Sequence, residues 1–333
     1  MAVSVAVLAF LGGAAVSVGA TWLLISRVER ISEWIGLSEA LLGFLAALAA
    51  DPANIAAAIA GLASHQRALG AGVVIGSNIF NLAALIGLGA VVAGGIQLHR
   101  KVVALSGAVG LWVAIVCFAT VAGLFDSAVG LVLVLVVLVP YVVLLARHRV
   151  LLRRLALPRP LTDWLTSAVS EEEQELELAL RPQRGSARDV AVAVPVLLLV
   201  ILATVTMERG GAALGRHFVI SGVVVGGLVL AAVTSLPPAV AAVTLAARGR
   251  GSAALSTALT SNALNVTAGL LIPTVVLGIG RPSGSEILIA GWYVGLTVLT
   301  LGLAYAGRGL RRWAGWAIIV GYLAFVAALL VVS

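Results

Sequence analysis

One cysteine, four histidines, fourteen acidic residues and 5% aromatic side chains are spread over 333 positions. The lone thiol, Cys117, cannot close an intrachain disulfide. It lies in the apolar run Val116-Cys117-Phe118, where a free cysteine packs as a small hydrophobe. His65, His99, His148 and His217 fall near the ends of apolar runs or between them, with no metal-ligand spacing. There is no His-Glu-x-x-His, and the 37 glycines are dispersed rather than gathered into a phosphate-binding loop. Hydrolytic and ATP-driven chemistry have no visible machinery, so neither an enzyme nor a bound cofactor is expected. Charged residues make up 11% of the chain, less than half of the roughly 25% usual in soluble domains. That scarcity excludes a soluble fold.

The residues that are abundant point the same way. The chain is 61% hydrophobic with a mean hydropathy of +1.14, the composition of a polytopic protein whose main partner is the lipid bilayer. Its net charge of +7 does not indicate nucleic acid, because the basic residues cluster at the ends of apolar runs. Those runs predict ten membrane helices, over 2–25, 37–64, 69–95, 101–124, 127–147, 189–207, 219–247, 252–279, 286–306 and 313–332. No Lys or Arg precedes the stretch Ala2–Leu24, so it reads as a retained first span rather than a signal peptide. The predicted fold class is therefore an all-α polytopic membrane protein. Its organisation is a first five-helix repeat over 1–147, a linker over 148–188 and a second five-helix repeat over 189–333. The linker carries the acidic run 171–177 and reads as a solvated amphipathic helix joining the halves. Seventeen of the 21 basic residues fall on the linker's side of the membrane. The positive-inside rule then places the linker in the cytoplasm and both termini outside a plasma membrane.

The halves resemble each other. Gly76-Ser77-Asn78-Ile79-Phe80-Asn81 near the third span is matched by Thr260-Ser261-Asn262-Ala263-Leu264-Asn265 near the eighth. The same shift sets Ala50-Asp51-Pro52-Ala53-Asn54 beside Thr234-Ser235-Leu236-Pro237-Pro238, each a proline interruption inside a long apolar segment. Five spans separate the paired helices, an odd number, so the repeats run in opposite senses across the bilayer. Inverted repeats with helices broken at matching positions point to a midplane binding site in a secondary transporter.

Most acids, Glu208 among them, fall in loops or at predicted span ends. Asp51 is the exception, about 21 Å from Leu37 and from His65 along a helix. A charge at that depth costs about 3 kcal/mol or more, which marks it as functional. Asp51 also suits the N-cap of a half-helix starting at Pro52, and the two roles are compatible. No adjacent apolar run supplies a Lys, Arg or His, so a bound cation or a proton is the simplest counter-charge. Ser77 and Asn81, and again Ser261 and Asn265, are four residues apart and present oxygens on one helix face. Such hydroxyl and amide oxygens suit hard cations. Thr234 and Ser235 add two hydroxyls beside the second break.

These motifs resemble those of the cation/calcium exchanger superfamily, which includes sodium/calcium and calcium/proton exchangers. The resemblance rests on Gly-Ser-Asn-Ile-Phe-Asn at 76–81, on Thr-Ser-Leu-Pro at 234–237 and on the ten-span inverted arrangement. It implies an antiporter in which two bundles alternate access to central ligands. By position, Ser77, Asn81, Thr234, Ser235, Ser261 and Asn265 match ligand positions. The family's usual glutamate after each motif proline is replaced by Asn54 and Pro238, and Asp51 stands where a serine is usual. One carboxylate balances one monovalent charge, so Na+ or H+ is the expected coupling ion, with Ca2+ as the open candidate for the exchanged ion. Two alternatives stand beside this reading. One is a non-transporting pseudo-exchanger, a membrane subunit or sensor. The other is a carrier of neutral or organic cationic solutes.

Overall fold

In lipid every backbone amide must be satisfied within its own element, so the apolar runs fold as helices. The computed structural model describes residues 2–34, 51–154, 158–177, 185–247, 249 and 251–332. The chain is mostly helical. Among the described residues eight helices are long and apolar enough to cross a membrane. In chain order the elements are α1 (Val3–Trp34), α2 (Pro52–Ala63), α3 (Arg67–Val92), β1 (Gly95–Gln97), α4 (Arg100–Val121) and α5 (Ser127–Arg154). There follow α6 (Arg159–Glu177), α7 (Ala187–His217), α8 (Gly222–Thr234), α9 (Leu236–Ala247) and α10, which joins Gly251–Leu264, Asn265–Leu271 and Ile272–Leu277. The last are α11 (Gly284–Gly307), β2 (Gly309–Arg311) and α12 (Arg312–Val332). The short strands β1 and β2 pair antiparallel, tying the end of α3 to the start of α12.

Several helices overrun the apolar stretches that predict them. Polar residues end a hydrophobic run without ending a helix, because Arg, Glu and Lys are good helix formers. Thus α1 continues to Trp34, α5 to Arg154 and α7 to His217. The last of these corrects one expectation: Glu208 is not at a helix end but inside α7, with no exposed surface. The first half of the predicted 37–64 span, with Glu39, lies largely outside the described residues. The predicted 219–247 segment is interrupted between Thr234 and Leu236, as its prolines require.

Two close helix pairs organise the interior. Between α1 and α7, Ser17 Oγ and Thr204 Oγ1 are hydrogen-bonded at 2.7 Å. Gly13 lies on the Ala203 and Met207 backbone, and Gly210 on the Phe10 and Ala6 backbone. At the other end of the pair Arg27 donates to Asp189 at 2.9 Å, and Asp189 also closes a capping box with Ser186. The second pair is α3 with α8, where Gly72 and Gly76 meet the Val223–Gly227 backbone. Small residues let membrane helices approach in this way. A Cβ on Gly210 would sit 2.7 Å from the Phe10 nitrogen. Gly210→Val is therefore expected to destabilise the protein by about 1–3 kcal/mol, read as a lower thermal midpoint in detergent.

Candidate functional site

The two helix breaks share one backbone geometry. Asp51 precedes Pro52 with φ −90°, ψ −8°, and Ser235 precedes Leu236-Pro237 with φ −90°, ψ −1°. Ile55 N donates to Asp51 O at 3.0 Å, and Ala239 N donates to Ser235 O at the same distance. The separation between the two positions equals the 184 residues between Asn78 and Asn262, which bond each other across α3 and α10. Asp51 occupies the N-cap position of α2, but its side chain makes no capping bond. The carboxylate points inward instead, and Ser261 Oγ donates to Oδ1 at 2.6 Å.

Asn78 and Asn262 fix the polarity of the whole cluster. Asn78 Nδ2 donates to Asn262 O and Asn262 Nδ2 to Asn78 O, each at 3.1 Å. A backbone carbonyl only accepts, so each amide must turn its nitrogen to that side and its Oδ1 to the other. The freed Oδ1 atoms then accept from the neighbouring asparagines. Asn265 Nδ2 donates to Asn78 Oδ1 at 3.1 Å, and Asn81 Nδ2 donates to Asn262 Oδ1 at 2.9 Å and to Ser261 Oγ at 3.2 Å. The nitrogens of Asn81 and Asn265 are thereby committed, and their oxygens are left over. The Tyr293 hydroxyl on α11 approaches both the Asn78 and the Asn262 side chains.

Among the described residues, the buried oxygens without a hydrogen-bond partner include four from the two breaks and the two motifs: Asp51 Oδ2, Ser235 Oγ, Asn81 Oδ1 and Asn265 Oδ1. They form two repeat-related pairs, Asp51 with Ser235 and Asn81 with Asn265. All four residues have no exposed surface. Buried polar atoms are normally satisfied, and each one left open costs about 1–3 kcal/mol, more when charged. A set of unpaired acceptors holding one net negative charge is what a cation would satisfy.

The other residues singled out from sequence divide by role. Ser77 donates to Asn54 Oδ1 at 3.1 Å, so this pair is engaged with itself. Asn54 also approaches the Asp51 carboxylate, though Asp51 Oδ2 and Asn54 Nδ2 both remain without a bond of good geometry. Thr234 Oγ1 donates back into its own helix, to Leu230 O at 2.8 Å and Ala231 O at 3.3 Å. Asn78, Asn262 and Tyr293 were not singled out, although the first two stand in the repeated motifs at the same spacing. Directly after Asn81, and again from Asn265, the backbone widens into π-helical turns, Leu82–Gly87 and Asn265–Leu271. Such turns recur at functional sites, where they shift the register of the side chains that follow.

Comparison with known proteins agrees with this architecture. The sequence model of the family described as "Sodium/calcium exchanger protein" matches residues 5–148 and 190–331. Among curated proteins, the chain is 33% identical over 111 residues to the sodium/potassium/calcium exchanger Nckx30C of Drosophila melanogaster, 31% of this chain and 13% of that protein. It is 32% identical over 85 residues to the antiporter candidate CaxA of Alkalimonas amylolytica, 25% of this chain and 27% of that one. The matched segments thus span about a quarter or less of those relatives. Among solved structures, the H+/Ca2+ exchanger CAX superposes with a TM-score of 0.69 at 12% identity, covering 98% of this chain and 86% of that one. The sodium-calcium exchanger NCX_Mj superposes at 0.62 with 18% identity, covering 98% and 99%. At these identities the superpositions carry the fold alone.

Proposed function

Because the chain belongs to the sodium/calcium exchanger protein family, we propose that it is a secondary-active cation antiporter with its ion site between the two helix breaks. The observation that carries this reading is the pairwise set of unsatisfied oxygens on Asp51, Ser235, Asn81 and Asn265. Asp51 supplies the charge. The asparagine and serine oxygens supply neutral ligands, with Thr234 beside them, and Ser77, Asn54 and Ser261 hold the carboxylate and its surroundings in place. The coupling ion is Na+ or H+, and the exchanged ion is a cation that one carboxylate can carry, with Ca2+ left one charge short at this site. Ten spans in two inverted repeats, termini outside and linker in the cytoplasm complete the arrangement. The reciprocal Asn78–Asn262 bonds and the equal backbone angles at Asp51 and Ser235 support the inverted repeat.

The test is flux in proteoliposomes. An imposed Na+ or H+ gradient is expected to drive cation movement in the opposite direction, and millimolar Na+ or Ca2+ is expected to raise the thermal midpoint of the purified protein. A ligand stabilises the state it binds, by about 2.7 kcal/mol at a hundred times its dissociation constant. Neither flux nor protection with any of these ions would make the protein a pseudo-exchanger that keeps the fold as a subunit or sensor.

A further inference from the structure

A second carboxylate is buried away from the Asp51 cluster. Glu208 has no exposed surface, and neither Oε1 nor Oε2 has a hydrogen-bond partner. It stands on α7, on the face that meets α1 and α8. One turn earlier Thr204 bonds Ser17 of α1. One turn later a Cβ on Gly211 would meet Phe10 of α1 and Leu230 of α8, and one on Gly215 would meet Val225, so these elements lie close there. The contacts descend antiparallel, from Gly215 at Val225 to Gly211 at Leu230. The next position on that face, Glu208, therefore falls level with Val233 and Thr234.

Helix rise gives the same answer independently. Glu208 lies nine residues inside the His217 end of α7, about 14 Å. Ser235 lies thirteen residues beyond the Gly222 start of α8, about 20 Å from the same edge. The two differ by about one helical turn.

Among the described residues this carboxylate makes no ion pair and no hydrogen bond. Helix α8 contains no charged residue, and α1 carries its charges from Arg27 onward, toward the opposite end of the pair. Arg209 and Arg216 on α7 are exposed and act on Glu208 only through their field, with Arg216 donating to Gln66 Oε1 at 3.2 Å. Residues 35–50, outside the described residues, contain no Lys, Arg or His. A buried acid with two open oxygens and no cation bonded to it is costly unless a cation joins it or it stays protonated.

We propose that Glu208 is a second cation seat, taking Na+ at the junction of α1, α7 and α8, about one turn from the Ser235 break. Its role in transport rests on the antiporter reading; its binding of Na+ does not. With Asp51 it gives the described residues two acids with no exposed surface, so the charge missing after Pro237 is supplied from a different helix.

The experiment is a Na+ titration of thermal stability on the full-length protein, with choline replacing Na+, for wild type, Glu208→Gln, Glu208→Asp, Asp51→Asn and the double variant. Glu208→Gln is expected to raise the Na+ concentration for half-maximal protection by about tenfold or more, as loss of a ligand-shell group does. Glu208→Asp is expected to keep most of the response, which separates binding from folding. Asp51→Asn is expected to retain part of it and the double variant none. A wild-type Na+ response in Glu208→Gln would make the residue a protonated packing group and overturn the proposal. Complete loss of protection in Asp51→Asn, with Glu208 intact, would overturn it as well. A normal response in Asp51→Asn with a weakened one in Glu208→Gln would uphold Glu208 and remove the central-site reading instead.

Discussion

Asp51→Asn is expected to lower ion-driven flux in proteoliposomes by about two to three orders of magnitude, with the thermal midpoint in ion-free buffer equal to wild type or higher. The two signs have one cause. In the folded protein Asp51 is fully buried, Oδ1 accepts a 2.6 Å bond from Ser261, and Oδ2 has no partner. Without an ion, an ionised carboxylate there carries a desolvation cost of several kcal/mol. The amide keeps the shape and the Oδ1 acceptor while losing the charge. It does set its own Nδ2 near the open Asn54 Nδ2, but two neutral donors facing each other cost less than a buried unpaired charge. Binding moves the other way, because a cation entering the neutral site meets only dipoles. Several kcal/mol of lost compensation is about three decades in affinity at 1.4 kcal/mol per decade. A group whose removal harms transport and spares stability is there for the ion. Equal flux in variant and wild type would take Asp51 out of the mechanism.

The sequence already made visible the two breaks, the serine and asparagine pairs and the depth of Asp51, because each has a local sign: a proline, a four-residue spacing, a charge inside an apolar run. Which oxygens stay open had no local sign. It depends on a chain of donor and acceptor choices that begins at the Asn78 and Asn262 carbonyls and crosses between helices twice. The same holds for Glu208. The pair Glu208-Arg209 ends the apolar run, which suggests a span end near Met207. The helix instead continues through Gly210, Gly211 and Gly215, which press that face of α7 onto α1 and α8. Arg209 reaches the surface while its neighbour is buried, a split set by helical rotation rather than composition. Ser77 and Asn54 show the opposite limit. Ser77 matches a ligand position and Asn54 stands in place of the family's glutamate, and the two spend a donor and an acceptor on each other.

The glycine that opens the first motif, Gly76, is the position where one methyl group should do the most harm to folding. Gly72 and Gly76 are four residues apart on α3, the small-x-x-x-small spacing that lets membrane helices touch through their backbones. A Cβ on Gly76 would lie 2.1 Å from the Gly227 oxygen and 2.5 Å from its Cα, and one on Gly226 would lie 2.2 Å from the Leu69 oxygen. Every one of these partners is backbone, so no rotamer change can make room. The helices must separate, and the separation propagates: Ser77 follows Gly76 directly, and α8 leads from Gly227 to Thr234 and the Ser235 break. Gly76→Ala is therefore expected to cost about 3 kcal/mol or more, at the upper end for overpacking and a large part of the 5–15 kcal/mol by which folded proteins are stable. Gly76→Val is expected to yield no folded protein. Gly302→Ala on α11 is the matched control, because nothing lies within 4 Å of a Cβ there. In an open helix interior alanine is favoured over glycine by up to about 1 kcal/mol, so this variant should melt at or above the wild-type midpoint. Thermal unfolding of both alanine variants in detergent, with recovery from the membrane fraction, reads the contrast. If Gly76→Ala melts with Gly302→Ala, the helices tolerate separation, and the close crossing of α3 and α8 is not what sets the two breaks against each other.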